Sequence, residues 1–140
     1  MKRLVAAILL AATLGACGGG HSVHGAQGGR TIDIDMREND FSPASVTVAS
    51  GEQVQFVFHN KGAVVHDAYI GDEHAQMAHE QEMRMSSGDP GHGHGSEGVT
   101  VEPGKTATLS HTFDTSGNTL IGCHELGHYA LGMRIRVVVT

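Results

Sequence analysis

A chain of 140 residues that is 39% hydrophobic and 4% aromatic has room for one domain, whose core must rest on Val, Ile, Leu and four Phe. Its formal charge of −6 excludes the basic footprint of a nucleic-acid binder, so no nucleic acid is expected as a partner.

The first element in the chain reads as a leader. Lys2 and Arg3 precede the apolar run Leu4 to Leu14, which is too short to span a bilayer as a helix. Leu14-Gly15-Ala16-Cys17 then places small residues at a cleavage point and resembles a bacterial lipobox. Residues 1–16 are therefore expected to be a lipoprotein signal peptide. Cys17 would be lipidated, and the exported protein, periplasmic or otherwise extracytoplasmic, would be held to a membrane through its lipid. The plainer alternative is an ordinary signal peptide cut nearby, with Cys17 incidental.

Residues 17–30 are Gly-rich and nearly devoid of apolar side chains, so they read as a flexible tether with His21 and His24 solvated. Cleavage would reduce the nine Lys and Arg to seven, against fifteen Asp and Glu, for a formal charge of −8. Acylation of Cys17 would leave Cys123 as a thiol without a disulfide partner in an oxidising compartment. Such a thiol is either buried and inert or protected by a ligand such as a metal.

Folded structure is expected over residues 31–140. Thr31–Met36 alternates apolar and polar residues with the period of a half-buried strand. Val46–Ala49 and Gln53–His59 give two more strands around a Ser50-Gly51-Glu52 turn. A short strand follows near His66–Ile70, and two strands flank the Pro103-Gly104 turn. Thr119–Cys123 and Gly132–Thr140 complete a set of short β runs punctuated by Gly and Pro, which predicts an all-β antiparallel sandwich. One segment breaks the pattern. Residues 72–97 are polar and lack β-branched side chains. Glu73–Met85 has good helix formers, Asp72 can cap its start, and Ser86-Ser87-Gly88 ends it, so one short inserted helix is predicted.

Between the last two strands lies Cys123-His124-Glu125-Leu126-Gly127-His128, which contains the zinc-protease pattern H-E-x-x-H. That pattern works on a helix, where both His share one face. Here it follows a strand-like run and carries Gly127 inside it, with Gly122 and Gly132 on either side. After His128 the chain has no His, Asp, Glu or Cys to serve as a third ligand. The protease reading fails on this context, no enzymatic activity is expected, and His124 and Glu125 read as exposed loop residues.

The same context favours copper. A centre that cycles between Cu(I) and Cu(II) needs donors acceptable to both states: thiolate, imidazole and a weak axial thioether. Cys123, His128 and Met133 supply them from one tight loop, with four residues between each donor and the next. The fourth ligand must come from elsewhere. His66, at a strand start after a turn, is the best candidate, while His59 ends an alternating strand and could face solvent.

On these residues the chain resembles the cupredoxins, the plastocyanin and azurin superfamily. Phe41–Gly62 looks like their N-terminal region and Gly122–Val139 like their copper loop, with a spacing similar to rusticyanin and to the type 1 site of copper nitrite reductase. Val64–Met83 resembles an exported bacterial subgroup with a His/Met-bearing helix. The resemblance implies an eight-stranded Greek-key sandwich and copper ligands at His66, Cys123, His128 and Met133. Two positions depart from it: Leu126, where related loops often have Pro, and Asp67, where Asn, Ser or Glu is usual. Both leave the donor set intact and bear on the redox potential.

Residues 72–97 also hold His74, Met77, His79, Met83, Met85, His92 and His94, a possible secondary metal site. Helical spacing puts His74, Met77 and Met85 on one face and His79 and Met83 on the other. The alternative is a helix whose Met side chains merely pad the sandwich. Two functions are consistent with the whole. One is a single-electron carrier serving redox partner proteins, with His128 as the exposed route. The other is a protein that sequesters or delivers copper, exchanging it with a donor or acceptor.

Overall fold

The computed structural model describes residues 29–86 and 94–140. Nine strands and one helix follow in order. They are β1 (Arg30–Arg37), β2 (Asp40–Ser42), β3 (Ser45–Val48), β4 (Glu52–Asn60) and β5 (His66–Gly71), then α1 (Glu73–Met85), then β6 (Gly98–Val101), β7 (Thr106–Phe113), β8 (Gly117–Gly122) and β9 (Arg134–Val139). The strands form two sheets, ordered β2-β1-β4-β7 and β3-β9-β8-β5-β6. The fold is the expected β-sandwich with one inserted helix.

The core lies between the sheets. Strand β4 shows why: Val54, Phe56 and Phe58 alternate inward and are fully buried. Phe56 stacks on Phe58 with centroids 6.1 Å apart and meets Phe113 edge-on at 6.1 Å, while Phe41 packs on Phe58 at 6.3 Å. All four Phe of the chain are thus in one cluster. Each contributes about 1.5–3 kcal/mol by burial.

Two details differ from the sequence reading. The sandwich is not wholly antiparallel. Strand β1 runs parallel to β4, from Arg30↔Val54 to Met36↔Asn60, and β3 runs parallel to β9. After β2 the chain leaves the first sheet for β3, then returns for β4, so neighbours arrive in the same direction. Strand β2 also went unforeseen. At three residues, with only Phe41 turned inward, it is too short to show a period.

Topology brings one end of the second sheet together. Strands β5 and β8 are antiparallel, with Tyr69 opposite Gly122 and Ile70 opposite Ile121. The start of β5 therefore lies beside the residues that leave β8. Strand β9 flanks β8 in turn, so the loop between them sits at the same end.

Helix α1 follows β5 directly and packs across β5 and β8. Asp72 caps it by accepting the Ala75 N–H at 2.8 Å, and the Ser86 N–H closes its end on the Glu82 carbonyl at 3.0 Å. Its buried residues are Gln76 and His79. The close approach needs Gly122, because a Cβ there would collide with Gln76 Oε1 and the Tyr129 ring.

Candidate metal centre

Three segments build the site. The turn before β5 is organised by buried Asn60, whose Nδ2 donates to the Val64 and Val101 carbonyls, each at 2.8 Å. Its Oδ1 accepts the Gly62 N–H at 2.9 Å. That turn presents His66. The second segment is the end of β8, carrying Cys123. The third is the β8–β9 loop. There the Cys123 N–H donates to the Met133 carbonyl at 3.1 Å, and the Met133 N–H donates to the His128 carbonyl at 3.0 Å. Gly127 (φ 87°) and Gly132 (φ 95°) supply the left-handed turns this closure requires.

Within this frame His66 Nδ1 lies 3.8 Å and His128 Nδ1 3.4 Å from Cys123 Sγ. An ion bonded to sulfur at about 2.3 Å and to nitrogen at about 2.0 Å spaces those atoms roughly 3–4 Å apart. The observed gaps therefore suit a shared ion. His66, Cys123 and Met133 are fully buried, and His128 is partly exposed. The four residues expected as ligands are brought to one end of the sandwich. His59 is not: it bonds Asp33 at 2.8 Å and Thr106 at 3.1 Å on the other sheet.

Electrostatics suit the binding of a cation here. Burial, then the neighbouring charge of Asp67, pushes the Cys123 thiol well above its ordinary value, while the backbone amides of Asp67 and Glu125 favour the thiolate. The Leu126 side chain is 88% exposed. Burial, helped by His128, lowers His66 to about 4, and burial lowers His128 too. Both imidazoles are therefore neutral at pH 7, with lone pairs free to bind a metal. Metal binding expels the thiol proton.

His124 and Glu125, expected in the solvent, are a correction. His124 is 3% exposed and Glu125 is half-buried. His124 turns away from the Cys123 cluster toward α1. Its Nε2 lies 2.7 Å from Gln76 Oε1 and its Nδ1 2.8 Å from Glu80 Oε2. Gln76 Nε2 donates to the Tyr69, Gly71 and Leu120 carbonyls, so its oxygen is the acceptor and the Nε2–H of His124 donates to it. Tyr129 stacks on the His124 ring at 4.7 Å. The two His of H-E-x-x-H thus serve different surroundings and cannot grip one zinc. Sequence reasoning missed His124 because its partners lie more than forty residues away. It noted Asp67 only as an unusual neighbour of His66. In the structure Asp67 is fully buried, and its Oδ1 accepts the His124 N–H.

The secondary residues divide. His74, Met77 and Met85 point outward and Met83 is half-buried. His79 and His94 converge with Asp67 into a second buried group. His92 and the lipidation residue Cys17 lie outside the described residues.

A buried thiol, two imidazoles and a thioether at one end of a two-sheet sandwich define the class: a β-sandwich metalloprotein with the donor set of a type 1 copper centre. A family model described as a cupredoxin-like domain matches residues 4–118. The chain belongs to that family, the cupredoxins. It is 30% identical over 141 residues to the copper-resistant cuproprotein CopI of Pseudomonas aeruginosa, which covers 81% of this chain and 78% of that one. It is 35% identical over 115 residues to CopI of Rubrivivax gelatinosus, covering 79% of this chain and 66% of the relative. With CopI of Vibrio cholerae the identity is 38% over 88 residues, covering 63% and 51%. Similar solved structures include reduced auracyanin from Roseiflexus castenholzii, at 25% identity and a TM-score of 0.69, covering 79% of this chain and 96% of that one. Auracyanin A, a blue copper protein from Chloroflexus aurantiacus, is 26% identical with a TM-score of 0.66, covering 79% and 98%.

Proposed function

We propose that this chain is an exported, lipid-anchored cupredoxin of copper tolerance, holding one copper ion on His66, Cys123, His128 and Met133. The observation that carries the reading is the buried Cys123 thiol with two imidazole nitrogens at 3.4 and 3.8 Å. The similarity to copper-resistant cuproproteins supports the physiological half of the proposal. Bound copper supplies a one-electron couple between Cu(I) and Cu(II). The chain's own part is to hold the donors still. Sheet pairing fixes Cys123 beside His66, the loop hydrogen bonds fix His128 and Met133, and the buried setting excludes water. A thiolate held in this way is shielded from air oxidation. No substrate turnover is part of the proposal. Its partners are copper donors and acceptors.

A second reading is the single-electron carrier. It is favoured by the exposed apolar residues Leu126 and Leu131 beside the partly exposed His128, which suit brief docking to a redox partner protein.

The test is to add Cu(II) to the metal-free protein and to its Cys123→Ser variant, and to express both in a copper-sensitive bacterium. Intense sulfur-to-copper absorption and raised copper tolerance are expected only with Cys123. Colour in the variant would sink the assignment of the thiolate. A strong colour without any gain in tolerance would move the function to the carrier reading.

A further inference from the structure

Beneath α1, next to the Cys123 site and separate from its donors, Asp67, His79 and His94 meet in a buried cluster whose ligating atoms lie within 4.8 Å of one another. Each comes from a different place: Asp67 from β5, His79 from α1, and His94 from the segment entering β6. Asp67 Oδ2 is fully buried and has no hydrogen-bond partner. A carboxylate oxygen stranded in this way costs several kcal/mol unless a cation meets it. His79 Nε2 and His94 Nε2 each lie 3.9 Å away. That gap is too long for a hydrogen bond. His79 Nε2 also lies 3.0 Å from His94 Nδ1. An ion bonded to N and O donors at about 2.0–2.2 Å spaces them roughly 3–4 Å apart, which is the spacing seen.

The surroundings orient the donors as a metal site requires. His79 Nδ1 faces the Glu82 carboxylate at 3.5 Å, which draws the ring proton outward and leaves Nε2 free to coordinate. Tyr69 stacks on the His79 ring at 4.1 Å and fixes its plane. His94 Nε2 lies 3.0 Å from the Thr100 hydroxyl.

We propose that Asp67, His79 and His94 form a second metal site, for a divalent ion that prefers nitrogen and oxygen donors, with Cu(II) as its occupant in this protein. Two imidazoles and a carboxylate, with no sulfur, suit Cu(II) and disfavour Cu(I). The site is wired to the first one. Asp67 follows His66 in the chain, and its other oxygen holds the amide of His124, which follows Cys123. An ion on Asp67 Oδ2 therefore acts on a residue joined to two ligands of the first centre.

The experiment titrates Cu(II) into the full mature protein and into two variants, His79→Ala/His94→Ala and Asp67→Asn. Bound copper is counted by metal analysis, and the second ion is read by EPR. The visible band reports the Cys123 site separately, so failure of one reading does not mask failure of the other. Expected is a second tight equivalent in the wild type, with nitrogen hyperfine structure and no added visible intensity. The double variant should lose that one equivalent and keep its visible band. Asp67→Asn preserves the shape and the Oδ1 acceptor, and should weaken the second ion about tenfold or more. Equal copper per chain in wild type and double variant, or unchanged second-ion affinity in Asp67→Asn, overturns the proposal. Loss of the band in the double variant leaves the decision to Asp67→Asn.

Discussion

Asp67 Oδ1 accepts the backbone N–H of His124, so the residue after one imidazole of the candidate centre is bonded to the residue after its thiol. Both partners are buried. This bond crosses from β5 to the exit of β8 and sets how far apart His66 and Cys123 stand.

Replacing Asp67 with Ala should therefore disturb both stability and colour. It strands the buried His124 amide, which costs about 1–3 kcal/mol. Removal of a buried unpaired carboxylate oxygen offsets part of this. The expected result is a modest fall in the denaturant midpoint of the metal-free protein, together with a shifted visible band in the copper form. An unmoved band would mean that the bond does not govern the Cys123 geometry.

The helix contacts predict a different outcome for the insertion. None of the four candidate ligands lies in residues 72–97, so replacing that segment by a short Gly/Ser loop should leave copper bound with a visible band. Yet Gln76 and Glu80 engage both nitrogens of His124. Their loss exposes His124 beside Cys123. The band should persist and move, and the site should admit exogenous ligands such as azide more readily. Absorption spectra with and without azide decide this. Complete loss of the band would show that α1 is essential to the centre itself.

The pH dependence of the metal-free fold follows from its buried imidazoles. His66 and His94 are each lowered to about 4, both chiefly by burial, and His79, His124 and His128 are lowered as well. The unfolded chain takes up these protons near pH 6.5, and the folded chain only at lower pH, His66 and His94 near pH 4. Stability is therefore fully present above about pH 6.5 and is lost as pH falls toward 4. Each histidine contributes a slope of at most about 1.4 kcal/mol per pH unit. Asp67, raised to about 6 by burial, opposes this over part of the range. Denaturant midpoints measured from pH 7 to pH 4 should fall steadily. A flat profile would mean that these rings are protonated in the folded state.

Much of the site was legible in the sequence because its signals are local. Cys123, His128 and Met133 share one loop, and Asp72 with the helix formers after it fixes α1. The division of His79 from His74, Met77 and Met85 follows from helical spacing alone. What escaped was set by distant partners. His124 looks like a loop residue until Gln76 and Glu80 are brought against it by the packing of α1 on β8. Asp67 gains its role only when β5 and β8 are aligned. Parallel pairing of β1 with β4 depends on where the chain crosses between sheets, which no hydrophobic period records.

The role of Met133 can be tested through the potential. Met133 is fully buried, and its backbone is hydrogen-bonded to both Cys123 and His128. A thioether in the axial position donates weakly to copper and favours Cu(II) somewhat over purely apolar surroundings. Met133→Leu removes the donor with little change in volume, so the fold should lose less than about 1.5 kcal/mol. His66, Cys123 and His128 remain, and the visible band should survive. Cu(I) gains relative to Cu(II), so the reduction potential should rise. For a one-electron couple each ~59 mV is a tenfold change in equilibrium constant, so even a modest loss of axial donation is measurable by voltammetry. A higher potential with retained copper and a reversible wave is the expected result. An unchanged potential would mean that another group, such as a carbonyl near Val65, takes the axial place. Copper lost at each reduction would show that the chain releases Cu(I), as a protein that delivers copper must.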